Sequence, residues 1–292
     1  MSPPETPLQP PRIENADRMP RRVGVELELE GLGARETAAL LQASVGGELL
    51  ERSPYRLELA GSALGDVTIE LDLRLAHAPE DAPAMGARRL FAGAVGLAAS
   101  MVIPVELVFA PVPPARLPEL DRLVATMVAA VPGLRPAGPH LNPEVASFEA
   151  DYLHAHLLAF SLLGPGLRAE MGLAPPWPIG FVTAYPAAYR QLLADPGYHP
   201  DLDRLIADYL DHNPTRYREL DMLPLFALLA PGTLQGPLGR QKVKPRPVFH
   251  WRLPGARPYG GVVADWNRWV EVERLAADPE RLAATARTTG EA

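Results

Sequence analysis

The stretch that decides the fold is Val23-Gly24-Val25-Glu26-Leu27-Glu28-Leu29-Glu30, in which apolar and acidic residues alternate. Successive side chains of a β-strand point to opposite faces of the sheet, so this alternation predicts a strand with one buried face. The three glutamates would share the other face at a spacing of about 6.5–7 Å, where they repel one another unless water or cations compensate. Taken alone, this pattern is most simply explained by a solvated strand face.

Polar residues also alternate with apolar ones on later predicted strands. A hairpin is predicted at residues 55–59 and 67–75, a strand at 101–109, an extended stretch at 136–144 and a late strand at 248–253. Because the pattern recurs, we expect these strands to add polar side chains to the same sheet face as the three glutamates. The residues concerned are Glu70, Asp72, Glu106, His140, Asn142, His250 and Arg252.

Helices are predicted where apolar residues recur at three- and four-residue spacing. Strands and helices come first, then helices alone, then one late strand, which is an order typical of α+β proteins. We expect a mainly antiparallel sheet with helices on one face and a concave acidic active-site face on the other. The predicted helices are 35–45, 84–100, 117–131, 146–163, 186–194, 201–211, 216–230, 265–276 and 279–287.

The composition restricts the function and the compartment. The 292 residues are 47% apolar and 22% charged, as in an ordinary globular protein. A net charge of −7 without a basic tract argues against nucleic-acid binding, and the lack of cysteine excludes disulfides, thiolate zinc sites and thiol nucleophiles. The longest apolar stretch, Leu90–Val105, is interrupted by glycines and a proline. We therefore expect no membrane span and a cytoplasmic protein.

The chain is predicted to form one large domain. Residues 1–18 are rich in proline and lack the apolar core of a signal peptide, so a disordered tail is expected there. Residues 19–288 would form a single catalytic domain with a helical insertion at about 145–237. Proline-rich loops at 175–178 and 231–239 would supply adaptable substrate walls.

Carboxylates, histidine and arginine on one sheet face indicate a metal–nucleotide site. Clustered carboxylates suit Mg²⁺ or Mn²⁺, and the planar guanidinium group of arginine binds phosphate oxygens bidentately. The sequence contains neither a P-loop nor a dinucleotide-binding fingerprint. Any nucleotide would therefore be held by metals and arginines.

Six segments in this order resemble the amidoligase family, a branch of the carboxylate–amine/ammonia ligase superfamily that includes glutamine synthetase and glutamate–cysteine ligase. The resemblance covers about residues 20–276 and implies a glutamine-synthetase-like catalytic fold. The segments are Gly24–Glu28, Gly65–Asp72, Val105–Pro114, Gly138–Glu144, Asn213–Arg218 and Val248–Pro254.

The chain departs from the superfamily pattern at two positions. The late strand usually offers Glu-x-Arg, whereas this chain has His250 before Arg252, and Asn142 stands where many members have a second histidine. Both residues could ligate or orient a metal, so the departures affect the expected number of metals and their affinity.

The resemblance implies a ligase that uses ATP and Mg²⁺ or Mn²⁺ to phosphorylate a carboxylate, after which an amine attacks the acyl phosphate to form an amide. It also implies roles for individual residues. These are metal ligation by Glu26, Glu28, Glu106 and His140, phosphate contacts from Arg252, Arg216 and Arg218, positioning of substrate or water by Asn142 and His250, and a further ligand or an acceptor for the amine proton at Asp72.

Two other functions fit the same residues. The acidic face could activate water in a metal-dependent hydrolase, which would turn over without a nucleotide. A protein that binds nucleotide or metal without catalysis is the other alternative, and only His250 in place of the usual glutamate supports it. The expected substrates are a small-molecule or peptide carboxylate and an amine, neither of which the sequence identifies, and the sequence does not indicate an oligomeric state.

Overall fold

The computed structural model describes residues 6–53, 56–71, 104–172, 182–234, 243–252 and 259–290. Within these residues the chain has an α+β fold. The strands are β1 (Val23–Glu30), β2 (Glu48–Ser53), β3 (Arg56–Ser62), β4 (Gly65–Leu71), β5 (Val105–Val112), β6 (Arg135–Pro136), β7 (His140–Pro143), β8 (Leu220–Asp221) and β9 (His250–Trp251). The helices are α1 (Ala34–Val45), α2 (Leu117–Ala130), α3 (Ala150–Glu170), α4 (Ala187–Ala194), α5 (Leu202–His212), α6 (Leu223–Leu229), α7 (Val262–Ala276) and α8 (Pro279–Gly290).

The described residues form two compact units. The first unit contains the residues up to Val25, Pro111–Asp121 and the chain from Gly138 onward, and the second contains Glu26–Ala110 and Arg122–Ala137. The division falls within β1, within β5 and within α2.

The second unit is built on an antiparallel meander. Strand β2 pairs with β3, β3 with β4 and β4 with β5, and the end of β1 pairs with β6. Helix α1 packs against β3 and β4. The core of the second unit consists of the apolar residues that alternate along these strands, as the sequence pattern predicts. They are Leu27, Leu29, Leu57, Leu59, Val67, Ile69, Leu107 and Phe109.

The first unit combines three short antiparallel strands with helices. Trp251 of β9 lies opposite Leu141 of β7 and opposite Leu220 of β8, and all three side chains are buried. Helix α3 packs against α7, and α8 packs against both. Aromatic rings fill the space beside Trp251, where the centroid of Trp269 lies 5.9 Å away and that of Phe160 6.3 Å away.

A buried ion pair lies in the core of the first unit. The Arg21 guanidinium donates to both carboxylate oxygens of Glu273, at 2.6 and 2.8 Å, and Trp269 Nε1 donates to the same carboxylate at 2.6 Å. Arg21 also donates to the backbone oxygens of Arg12 and Glu144. This one side chain therefore ties the N-terminal segment to α7 and to the end of β7.

The N-terminal segment makes specific contacts over the residues that the structure describes. Leu8 donates its backbone N–H to Asn267 and accepts a hydrogen bond from Trp266 Nε1, both at 2.8 Å. Glu14 forms a β-bridge with Pro20. Residues 6–18 thus make specific contacts within the first unit, and proline content alone did not indicate them.

Most predicted elements are confirmed, with shifts of a few residues at their ends. The prediction of a helix over 216–230 is wrong in its first half, because Leu220 and Asp221 form strand β8 and the helix begins only at Leu223. Strand β2 was not predicted. The predicted helix at 84–100, the residue Asp72 and the loop at 175–178 lie outside the described residues, as does most of the loop at 231–239. The prediction of an α+β fold with mainly antiparallel pairing is confirmed.

No helix in the described ranges combines the length and the apolar character needed to cross a membrane. The longest of them, α3, has 21 residues and includes an internal proline, Pro165.

The Arg21–Glu273 pair generates a stability prediction. Glu273→Gln should lower the free energy of unfolding by about 3–5 kcal/mol, because it leaves a buried guanidinium without its counter-charge. The matched control is Glu271→Gln on the same helix, since Glu271 pairs with Arg274 at 2.6 Å but is about half exposed. The Glu271→Gln change should lower the free energy of unfolding by less than about 1 kcal/mol. Urea unfolding followed by tryptophan fluorescence measures both, and equal costs would contradict the prediction.

His156 generates a prediction of pH dependence. Its ring is buried between Tyr152 and Phe249, Nδ1 donates to the Tyr152 carbonyl at 2.7 Å, and burial lowers its pKa to about 4. Glu273 is the main group that opposes this shift. Between pH 6.5 and 4 the unfolded chain therefore binds a proton that the folded chain excludes, so stability falls as the pH falls.

The expected loss between pH 7 and pH 5 from this one group is about 2 kcal/mol. His156→Gln should remove that part of the pH slope in urea unfolding, while His199→Gln, at an exposed position, should keep it. A slope that stays unchanged in His156→Gln would show that the histidine does not cause it.

Candidate functional site

The polar residues of the first unit meet on one face of its three short strands. The paired residues Leu141, Trp251 and Leu220 point into the core. Because side chains alternate along a strand, the residues before and after each of them point to the opposite face of the sheet. The pairing continues past β9, since Arg252 donates its backbone N–H to the Glu219 carbonyl at 2.7 Å. That face carries two rows of polar residues, which we call the polar face: Asn142, His250 and Asp221 in one row, and His140, Arg252 and Glu219 in the other.

All six residues of the polar face are buried, with exposed fractions from 1% to 8%. Burying polar and charged groups costs free energy unless they find hydrogen bonds or opposite charges. Such a concentration is unusual for a purely structural sheet and is typical of sites at which chemistry or binding occurs.

The two histidines lie diagonally across the β7–β9 pair. Their ring centroids are 6.3 Å apart, and one ligand nitrogen of His140 lies within 4.8 Å of one of His250. Diagonal neighbours in an antiparallel pair are within reach of aromatic side chains, so the strand register by itself brings these rings together. Two imidazole nitrogens at this separation could bind one metal ion.

Asp221 is the central charge of the polar face. Its Oδ2 lies 3.3 Å from Arg252 Nη2 and 3.8 Å from His250 Nδ1, and its Oδ1 accepts the backbone N–H of Leu223 at 3.0 Å. Burial raises the pKa of Asp221, while the charge of Arg252 and the backbone hydrogen bond oppose that rise. Arg216 also lowers this pKa, which places its positive charge within electrostatic range of the carboxylate.

Two tyrosines hold the backbone around Asp221. Tyr185 donates its hydroxyl to the Leu220 carbonyl at 2.6 Å, and Tyr209 donates to the same oxygen at 3.3 Å. The Tyr209 hydroxyl also accepts the Met222 N–H at 3.0 Å. Strand β8 is only two residues long, so these hydrogen bonds, rather than an extended ladder, fix the position of the aspartate.

Glu219, Arg216 and Arg218 have different surroundings; for the two arginines, the resemblance implies phosphate contacts. Glu219 accepts from Arg168 at 2.6 Å, and burial raises its pKa against the effect of that arginine. Arg216 is half-buried. Arg218 donates to the Thr183 hydroxyl at 2.7 Å and to the Ala184 carbonyl at 2.9 Å, so its guanidinium is bound to residues 183 and 184.

Asn142 lies beside the start of β1. A Cβ added to Gly24 would lie 3.2 Å from the Asn142 Cβ, which is closer than most contacts between side chains. Glycine at position 24 therefore allows β1 to approach β7 at this point.

The predicted glutamates of the second unit lie on its strands. Glu106 of β5 is buried and lies directly opposite Glu70 of β4, where Arg56 approaches Glu70 to 3.9 Å. Glu26 is buried, and Glu28 is partly buried. Glu30 is half-exposed and pairs with Arg135 at 3.0 Å.

The structure thus brings together four predicted site residues, namely His140, Asn142, His250 and Arg252. Sequence analysis does not identify Asp221 and Glu219 as candidate site residues, because the apolar spacing of residues 216–230 predicts one helix. The alternation Glu219-Leu220-Asp221, followed closely by Pro224 at a helix start, is the signal that could have identified a short strand there.

Comparison with known proteins gives one family. A family profile described as "Putative amidoligase enzyme" matches residues 19–272. No curated protein and no solved structure matches the chain. The match covers most of the sequence, including every residue of the polar face, and it agrees with the resemblance found in the six sequence segments. The chain therefore belongs to the amidoligase family.

Proposed function

We propose that this protein is an ATP-dependent ligase that joins a carboxylate to an amine through an acyl phosphate. The observation that carries the proposal is the polar face, on which an arginine, an aspartate and two histidines are buried together in a chain of the amidoligase family. A ligase of this kind needs cations near the phosphates, a fixed positive group for the transferring phosphoryl and an acceptor for the amine proton.

The donor atoms of the chain fit a divalent metal. His140 and His250 of the first unit are buried, and each offers one ligand nitrogen. We propose that Glu26 and His140 ligate the metal, with Glu28 and Glu106 supplying further carboxylate oxygens for Mg²⁺ or Mn²⁺. Carboxylate oxygens and imidazole nitrogens are common ligands of such ions, and when bound the ion would polarise phosphate oxygens.

The nucleotide would be bound by arginines. Arg252 is held against Asp221 at 3.3 Å, so its guanidinium is oriented before any ligand arrives. We propose that Arg252 contacts the transferring phosphoryl group, that Arg216 contacts a second phosphate, and that Arg218 contributes through the position of the 183–184 backbone. A guanidinium that is already fixed stabilises developing negative charge without the cost of reorganisation.

The proposed reaction has two steps. A carboxylate oxygen of the first substrate attacks the γ-phosphorus of ATP, the bond from that phosphorus to the bridging oxygen breaks, and ADP leaves. The amine nitrogen then attacks the acyl carbon, inorganic phosphate leaves, and the amine proton passes to a carboxylate. We propose Asp72 for this last role, and Asn142 for orienting the substrate.

The domain organisation remains part of the proposal. We propose a single catalytic domain over residues 19–288, with substrate contacts supplied by the helical stretch at about 145–237. Loops on a rigid scaffold commonly carry such specificity.

Binding of ATP should require both metal and Glu28. Calorimetry with Mg²⁺ and ATP should detect binding to the wild type, and Glu28→Ala should weaken it by about 10-fold or more, because a carboxylate near the metal is lost. Glu30→Ala is the matched control on the same strand, since Glu30 pairs with Arg135 and is half-exposed. The absence of metal-dependent ATP binding in the folded wild type would overturn the proposal.

Turnover should depend on the guanidinium of Arg252. Arg252→Lys should reduce kcat for ADP formation by about 10²–10³-fold, because one point charge replaces a planar pair of donors at the transferring phosphoryl group. Arg204→Lys, in an exposed pair with Asp208, should leave kcat unchanged. The assay is ADP release during a screen of carboxylates with amines. Conversion of a substrate that is followed by chromatography and proceeds equally without ATP would instead indicate a metal-dependent hydrolase.

A further inference from the structure

We infer that the histidine pair of this site binds a first-row transition dication, such as Zn²⁺ or Co²⁺, through two imidazoles. The inference rests on the proposed metal site and specifies its ion. It gives His250 the role of a ligand, in addition to the positioning role that its place in the sequence implies.

The first argument is the geometry of the histidine pair. The strand register sets His140 and His250 diagonally on one face, with ligand nitrogens within 4.8 Å. Nitrogens that bind one tetrahedral ion at about 2.0–2.1 Å lie roughly 3.3–3.5 Å apart, so a modest rotation of either ring closes the remaining gap.

The second argument is the chemistry of the ligands. Mg²⁺ takes oxygen ligands in octahedral geometry and keeps several waters, whereas imidazole nitrogen suits Zn²⁺ and other first-row transition ions. A site with one histidine among several carboxylates could bind either Mg²⁺ or a first-row transition ion. A second histidine supplies a borderline ligand in place of a hard one and adds no negative charge.

The third argument is the surroundings of His250. Asp221 Oδ2 lies 3.8 Å from His250 Nδ1, and Arg252 Nη2 lies 3.3 Å from the same oxygen. A carboxylate beside Nδ1 favours the tautomer in which that nitrogen carries the proton, so that Nε2 presents its lone pair to the metal. The tyrosine hydrogen bonds that fix β8 therefore also fix the orientation of a metal ligand.

The test is metal binding without nucleotide. The chelator-treated wild-type protein is titrated with Co²⁺, whose visible absorption reports its ligands, and then with Zn²⁺ and with Mg²⁺. We expect bound Co²⁺ to give visible absorption bands. These bands should disappear when an equimolar amount of Zn²⁺ displaces the Co²⁺, and they should remain when Mg²⁺ is added in excess. His250→Gln and His140→Gln should each weaken Co²⁺ binding by at least about 100-fold. Asp221→Asn should weaken it by roughly 10–100-fold, as expected for a group that orients a ligand.

His199→Gln is the matched control for adventitious binding to a surface histidine and should bind Co²⁺ like the wild type. Because a variant in the polar face can fail to fold, ¹⁵N NMR of the histidine side chains of the wild type is the second measurement. The ¹⁵N resonances of ring nitrogens from two histidines should shift when Zn²⁺ is added and should not shift when Mg²⁺ is added. Co²⁺ binding that survives both His→Gln changes, or Zn²⁺ shifts at fewer than two histidines, would overturn the inference.

The two proposals fail in different ways. Co²⁺ binding at the histidine pair without metal-dependent ATP binding would overturn the ligase proposal and leave this inference intact. Metal-dependent ATP binding without Co²⁺ binding at the histidine pair would overturn this inference and leave the ligase proposal intact.

Discussion

The antiparallel register of β7, β9 and β8 is the constraint on which the candidate site depends. Trp251 lies opposite both Leu141 and Leu220, and burial of these three side chains fixes the pairing of strands that are two to four residues long. A shift of one residue would move every side chain to the other face of the sheet. The apolar row therefore determines that His250 lies beside Asp221 and diagonal to His140.

The surrounding helices supply the stability that such short strands lack. Trp251 packs against Trp269 and Phe160, and Arg21 is bound to Glu273 within the same core. The cost of burying six polar residues on the other face is offset in part by specific partners, such as Arg168 for Glu219 and Arg252 for Asp221. A fixed and partly compensated cluster of charges is the arrangement that preorganised catalysis requires.

Much of the fold could be predicted because it depends on local pattern. Alternation placed Leu27 and Leu29 in the core, and helical spacing located α1, α2, α4, α5, α7 and α8 to within a few residues. The prediction was wrong where tertiary contacts override local periodicity. Leu220 and Asp221 lie in a segment with helical spacing, yet they pair with β9 because Trp251 and the hydroxyls of Tyr185 and Tyr209 hold them there.

The sequence by itself determined the family, the α+β class and four residues of the polar face, because strand alternation and ordered motifs are local properties of the chain. Only the tertiary structure decided which polar residues meet. Asp221 and His250 are 29 positions apart, and His140 and His250 are 110 apart. Their proximity follows from strand register and aromatic packing, which depend on residues distant in the sequence and leave no periodic signal in it.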